Sequence, residues 1–511
     1  MRLNPSLDDF SRSLGVGKAQ LVWTKLIADL ETPVSAFLKI SGGEQMSFLL
    51  ESVEGGETRG RYSVIGLRPD LIWRAQRGKA EINRTALANA TAFHADRAKP
   101  LDSLRSLVAA SRIDVPEGLP PMASGLFGYM GYDMVREIER LPDNNPDQLG
   151  VPDSVFIRPT VIAIFDNVED SIALVTPVFP APGIDARAAY GDAERRLANV
   201  LAALEQPLAL PHAATGDTLP APVPTSNTSR EAYHAMVRKA KEYVLAGDIF
   251  QVVPSQRFAV PFTLPPFALY RSLRRLNPSP YLFFLDFGGF AIVGSSPEIL
   301  VRLRDDTVTI RPIAGTRRRG KDTAEDKALA EELLADPKEI AEHLMLLDLG
   351  RNDVGRVAAT GTVKVTAQMV IERYSHVMHI VSNVEGKIDR KSDALDALAA
   401  GFPAGTVSGA PKVRAMEIID ELEVSRRGVY GGAVGYFAAN GTMDTCIALR
   451  TAVVKDNTMY VQAGGGVVAD SDPEAEYQES CNKARALIRA AEEAVAFAEE
   501  SGRRKNSRAT L

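Results

Sequence analysis

The 511-residue chain is poor in cysteine, has no long apolar run and carries no surplus of basic residues. Its two cysteines, Cys446 and Cys481, are too few for a disulfide framework or a cysteine-built zinc site, so a reducing cytoplasm is the expected compartment. No stretch stays apolar over the ~20 residues that a bilayer crossing needs, which excludes a membrane-spanning helix. The opening Met1 to Phe10 holds two aspartates and lacks the apolar core of a secretory signal. A formal charge of −6 argues against a nucleic-acid partner, which would call for a basic stripe. Internal repeats with periods of about 20–50 residues are absent as well.

What is present reads as an ordinary soluble globular composition, with 45% hydrophobic and 24% charged residues. The length exceeds one ordinary compact domain. A seam rich in Pro, Ala, Thr and Ser at 207–229 divides an N-terminal region, 1–206, from a second region, 230–497. The stretch 498–511 reads as a disordered basic tail. Before the seam, Ser35 to Ile40, Ser47 to Glu51, Val155 to Phe165 and Ile172 to Val178 look like strands, and Asp185 to Leu204 like a helix. After it, Ser229 caps a helix that Gly247 ends, and a strand follows over Ile249 to Arg257. Further helices are expected near 325–335, 337–349, 410–422 and 473–498. Consecutive strands over Tyr430 to Ala438, Thr442 to Val454 and Thr458 to Ala463 favour an α+β plan: large antiparallel sheets packed face to face with helices outside.

Two helix starts share one logic. Asp336-Pro337 opens a run in which Ile340, Leu344 and Leu347 form an apolar face and Glu339 and Glu342 share another. Asp472-Pro473 opens a second, with Tyr477, Cys481, Ala484 and Ile488 as its buried stripe and Glu476, Glu479 and Lys483 elsewhere. Ahead of the first helix, a strand Thr307 to Ile313 runs into Ala314-Gly315-Thr316, where bulk is removed for a turn and a hydroxyl is added. Ahead of the second, Gly464-Gly465-Gly466 closes a strand and leaves backbone bare for a carboxylate. Carboxylates from two separate helices, Glu342 and Glu479, suit Mg²⁺, which takes one or two protein carboxylates beside water and substrate oxygens. Each of these features taken singly is commonplace on a protein surface.

Together they fall in a pattern. The region from about 230 to 495 closely resembles the chorismate-utilising enzymes, in particular the large subunits of anthranilate synthases. The strings that carry the resemblance include Gly247 to Ser255, Asn277 to Tyr281, Ser295 to Glu298, Pro312 to Arg317, Glu342 to Met345, Asp348 to Asp353, Phe402 to Lys412, Tyr430 to Tyr436 and Asn482 to Arg485. Residues before the seam match more loosely, through Leu49 to Ser52 and Gly60 to Ser63.

The resemblance implies conversion of chorismate and ammonia to anthranilate and pyruvate in tryptophan biosynthesis. It implies Mg²⁺ held by Glu342 and Glu479, with Glu339 and Glu476 behind them. Gly464, Gly465, Gly466, Gly315, Thr316 and Lys483 would receive the ring carboxylate, and Arg450 and Tyr430 the enolpyruvyl carboxylate. Glu298 would be the general acid for the departing 4-hydroxyl, which requires a raised pKa. His379, aided by Thr406, would serve loss of pyruvate and aromatisation. Relatives that add water carry a lysine base where this chain has Gln251, and aminodeoxychorismate synthase, the alternative within the family, carries a lysine nucleophile where this chain has Ala314. Neither cysteine sits in a glutaminase-like setting, so a separate glutaminase subunit is implied as ammonia source, in a hetero-oligomer with two copies of each subunit as one arrangement. Feedback inhibition by tryptophan is implied at Glu51, Ser52, Asn277, Pro278, Ser279, Pro280, Tyr281 and Leu282. A reading from another class, a non-catalytic sensor of an aromatic amino acid, fits that second site but leaves the acids and Arg450 unused.

Overall fold

The computed structural model describes residues 1–54, 58–208, 219–374 and 377–509. Part of the expected 207–229 seam (209–218) and the last two residues of the expected tail therefore lie outside the described residues. Two antiparallel leaves dominate. One runs through Gln20–Ile27, Ser171–Val178, Ser154–Asp166, Tyr62–Gln76, Ser47–Glu51, Tyr281–Asp286, Ala291–Ser296, Thr451–Lys455, Thr458–Gly464 and Ser255–Pro261. The other continues from the same two long strands through Gly125–Met130, Ala433–Ala438, Met443–Ile447, Ile299–Arg304, Thr307–Ile310 and Val377–Lys387, which also pairs with Ile313–Arg318 and Lys364–Arg373. Tyr62–Gln76 and Ser154–Asp166 belong to both leaves, and a register shift between Pro69 and Leu71 marks the bend.

Alternating apolar residues give each leaf an inner and an outer face. Between the leaves Phe48, Phe127, Phe283, Ile292, Val434 and Val453 form one core, with the Phe48 and Phe127 rings stacked at 4.6 Å. Outside each leaf, helices cover a second apolar layer, one built on Leu487, Tyr270 and Leu197, the other on Leu347, Leu398 and Met416. The α+β expectation of face-to-face sheets with helices outside holds. Each leaf joins a block of strands from residues 1–206 to a block from 230–497, through the pairing of Leu282 with Glu51 in one leaf and of Ala433 with Met130 in the other.

Several local expectations need correction. Ser35 to Ile40 lies in a helix, Pro33–Ser41, because Thr32 and Ser35 form a reciprocal capping box and Pro33 takes the first helical position. The strand expected over Ile249 to Arg257 breaks at Val253-Pro254 into Gln251–Val252 and Ser255–Pro261. Thr442 to Val454 is two strands, interrupted where Arg450 adopts a φ of 47°. The final helix runs Pro473–Ala509 through the stretch expected to be disordered, which is composed largely of helix-forming Ala, Glu, Lys and Arg. In the helix Pro337–Gly355 the buried face holds His343, Leu346 and Leu347, whereas Leu344 is 45% exposed.

Candidate active site

The two acid-bearing helices start as the sequence suggests. The Asp336 carboxylate accepts from the N–H groups of Lys338 and Glu339, and that of Asp472 from Glu474 and Ala475. The second helix borders the Thr458–Gly464 strand, and Lys483 on it lies close enough to Glu342 on the first to act on its charge. Lys483 Nζ donates to Gly464 O at 3.0 Å and pairs with Glu479 at 2.8 Å. Burial first, then the neighbouring Glu339 and Glu479 carboxylates, raise the pKa of Glu342, while Gln251 donates a hydrogen bond to it. Glu339 is held by Arg317 at 3.0 Å. Glu476 is buried, not on an outer face with Glu479, and its Oε1 accepts from Ser471 while Oε2 is left without a partner. The buried stripe of this helix accordingly passes through Glu476, Ser480, Ala484 and Leu487, with Tyr477, Cys481 and Ile488 at its margin.

The glycines are bare because protein groups press on them. A Cβ at Gly464 would meet Pro254 O at 2.3 Å, at Gly465 the Glu476 carboxylate at 2.6 Å, and at Gly466 the Gln251 amide nitrogen at 2.0 Å. Gln251 is buried with its Oε1 unpartnered. The Ala314-Gly315-Thr316 segment is not a turn but a bulge within the strand Ile313–Arg318. Gly315, at φ +78°, turns its carbonyl toward His379. His379 Nδ1 lies 2.9 Å from that carbonyl and 3.1 Å from Thr316 Oγ1. A carbonyl only accepts, so Nδ1 carries the proton and Nε2 keeps a free lone pair. Burial lowers the pKa of this imidazole, which keeps it neutral.

Glu298 is 4% exposed and its pKa rises to about 8, driven by burial and opposed by hydrogen bonds from Thr406 and the Ile313 N–H and by the Arg450 and Lys483 charges. Thr406 donates to Glu298 Oε1 at 2.8 Å; its hydroxyl serves this acid rather than His379. Among the described residues the Arg450 guanidinium has no hydrogen-bond or ion-pair partner, although Glu298 and the Tyr374 hydroxyl are near enough to affect its charge. An unpaired, largely desolvated guanidinium is suited to an incoming carboxylate. Tyr430 is buried and receives the Gly464 N–H.

The arrangement thus offers a protonated carboxylic acid, a neutral imidazole, an unpaired guanidinium and crowded carboxylates around one strand end. That combination handles an anionic substrate with a leaving hydroxyl. The sequence pattern of the chorismate binding enzymes matches residues 49–489. The chain belongs to the chorismate-binding enzymes. Within that family it is 60% identical over 499 residues to the anthranilate synthase component 1 of Cereibacter sphaeroides, covering 97% of this chain and 99% of the relative. The protein of the same name from Thermus thermophilus is 50% identical over 474 residues, covering 92% and 97%. The crystal structure of anthranilate synthase component I from Streptococcus pneumoniae superposes with a TM-score of 0.73 at 36% identity, covering 91% of this chain and 99% of that one. The menaquinone-specific isochorismate synthase of Escherichia coli shares the fold, with a TM-score of 0.68 at 20% identity over 95% and 98%.

Apart from these residues, a concavity of about 1060 Å³ opens between the leaves of this chorismate-binding fold. Glu51, Ser52, Pro280, Tyr281 and Leu282 line it, but Asn277, Pro278 and Ser279 do not. Asn277 and Ser279 instead hydrogen-bond Ser295 and Ser296 and brace the loop from behind. The Glu51 carboxylate is taken up by Arg274, at 2.6 and 2.9 Å, and by the Tyr270 hydroxyl. Sequence reasoning missed the opposite wall, Val434, Tyr436 and Asp444, which comes from the other leaf. Its only trace in the chain was the Tyr430 to Tyr436 string, noticed for Tyr430 alone.

Proposed function

We propose that the chain is the chorismate-converting component of an anthranilate synthase, forming anthranilate and pyruvate from chorismate and ammonia. The observation that carries the reading is Glu298: buried, in contact with Thr406, and a neutral acid at physiological pH. In that form it donates its proton to the departing 4-hydroxyl as ammonia adds at C2. His379, neutral with Nε2 free, is suited to take up the proton released as pyruvate leaves and the ring becomes aromatic. Arg450 and Tyr430 orient the enolpyruvyl carboxylate, and Lys483 with the Gly464–Gly466 backbone, Gly315 and Thr316 receives the ring carboxylate. Gln251, a neutral amide, cannot deprotonate water, and Ala314 cannot form a covalent adduct, which together favour ammonia at C2.

The residues present suit a Mg²⁺ ion. Burial first, and then adjoining carboxylates, raise the pKa of Glu342, and Glu476 keeps an orphaned buried oxygen, a state that a divalent cation nearby relieves. Among the described residues no three metal-ligating side chains gather, so the ion would take Glu342 and Glu479, with Glu339 and Glu476 behind them, and complete its shell with water and substrate. When bound it neutralises the ring carboxylate and the charge that develops in the substitution. Ammonia would come from a separate glutaminase component, tryptophan would inhibit at the cavity beside Ser52, and the cytoplasm is the compartment of action. Among the described residues no helix is long and apolar enough to cross a membrane.

The test is blue fluorescence of anthranilate, with pyruvate formed one for one, from purified chain, chorismate, Mg²⁺ and ammonium. Glu342→Gln, Glu479→Gln and chelation should each remove it. Absence of anthranilate under these conditions, or full activity after chelation, would overturn the proposal.

A further inference from the structure

Two buried charges have no part in the chemistry described so far. Glu423 and Arg427 face each other just beyond the helix Lys412–Leu422, their side chains 3% and 1% exposed, with Nη2 2.6 Å from Oε1. Such a pair adds little stability over well-packed apolar side chains, so its persistence asks for another reason. The remaining bonds point to one. Arg427 donates to Val253 O at 2.6 Å and to Val407 O at 2.5 Å, and its guanidinium lies 5.3 Å from the Tyr430 ring centroid. Glu423 Oε1 accepts from the Ser255 N–H at 2.9 Å and from its hydroxyl at 2.7 Å. Val253 is two residues after Gln251, Val407 follows Thr406, and Ser255 stands opposite Gly464 in the ladder.

We infer that Glu423 and Arg427 are positioning residues that fix, at one point, the backbone carrying Gln251, Thr406 and Gly464 together with the ring of Tyr430. The inference rests on the reading of those four as parts of the chorismate site. They come from separate stretches of chain, and a reacting geometry tolerates only a fraction of an ångström of drift. A planar guanidinium fork can hold two carbonyls and a carboxylate in fixed directions, which the point charge of a lysine cannot.

Arg427→Lys keeps the charge and removes the fork. At a temperature where the variant is fully folded, kcat/KM for chorismate should fall by about tenfold to a hundredfold. The alkaline limb of its pH profile should also move to higher pH, because Thr406 no longer steadies the Glu298 carboxylate. A purely structural pair would lower the melting temperature and leave both readouts in place. A folded Arg427→Lys within twofold of the parent, with its alkaline limb unmoved, would overturn the inference. Should Arg427→Lys not fold, Glu423→Gln is read in the same way. Hydrogen exchange on the unsubstituted chain adds a test that needs no variant: the Ser255 amide should be strongly protected without any ligand, and exchange as fast as at surface amides would refute a fixed point. If the unsubstituted chain forms no anthranilate, the functional proposal fails while the exchange result still judges the pair.

Discussion

At the scale of single residues, the proposed chemistry turns on one displaced proton equilibrium. Burial lifts Glu298 from an ordinary carboxylate value of 4.5 to about 8, and neither Thr406 nor Arg450 pulls it back. The acid is therefore protonated at pH 7 and becomes carboxylate as pH rises through about 8. With free ammonia held constant, kcat/KM for chorismate should be level below that pH and fall about tenfold per unit above it, a limb that steady-state assays from pH 6 to 10 would trace. The same shift links to stability. A carboxyl whose folded pKa lies above its unfolded value contributes most below the unfolded pKa, and that contribution is lost as pH climbs through the folded one. Glu298→Gln should be inactive yet melt higher than the parent at pH 9, with the gap narrowing toward pH 5, as calorimetry at the two pH values would show. The candidate acid stands out already in the Ser295 to Glu298 string. The raised pKa was asked for by the resemblance, but the burial that produces it, and the Thr406 and Ile313 bonds that oppose it, come from segments the chain brings up from elsewhere.

At the scale of elements, capping chemistry proved readable and strand continuity did not. Asp336, Asp472, Asp185 and Ser229 cap helices where local sequence says they should, since each cap is decided by neighbours within three residues. The same locality was overlooked at Thr32-Pro33, where apolar β-prone residues suggested a strand. The bulge at Gly315 is an element-scale feature that orients the proposed catalytic imidazole. Its φ of +78° lets the carbonyl reach His379, and an added Cβ would crowd Glu339 Oε2, Ile380 Cδ1 and Leu333 Cδ1, each at 3.2 Å. Gly315→Ala should therefore cost about 1–2 kcal/mol of stability for the left-handed backbone alone. By moving the carbonyl off Nδ1 it should also depress kcat, and a denaturant melt alongside turnover measurements would check both.

At the scale of the whole molecule, strands that line the cavity between the leaves also lead to the candidate active site. Leu282 pairs with Glu51 on one side and Ser295 on the other, and Ser295 to Glu298 leads directly to the acid. A ligand between the leaves at Ser52 would press on strands that lead to the candidate active site, a physical route for the proposed inhibition by tryptophan. Ser52→Phe, by filling that end of the cavity, should raise the tryptophan concentration for half-inhibition at least about tenfold while turnover without tryptophan changes less than about twofold, as inhibition curves on both proteins would show. Unchanged inhibition would argue against the cavity. From the order of residues alone follow the helix starts, the antiparallel habit of the strands, the motif strings and the residue types of the site, because all of these are local or periodic. The folded chain alone decides which leaf each strand joins, that Glu476 is buried and Leu344 is not, that Thr406 meets Glu298, and that an ion pair at Glu423 and Arg427 ties distant segments together. Those depend on contacts between residues hundreds of positions apart, for which a local pattern carries no information.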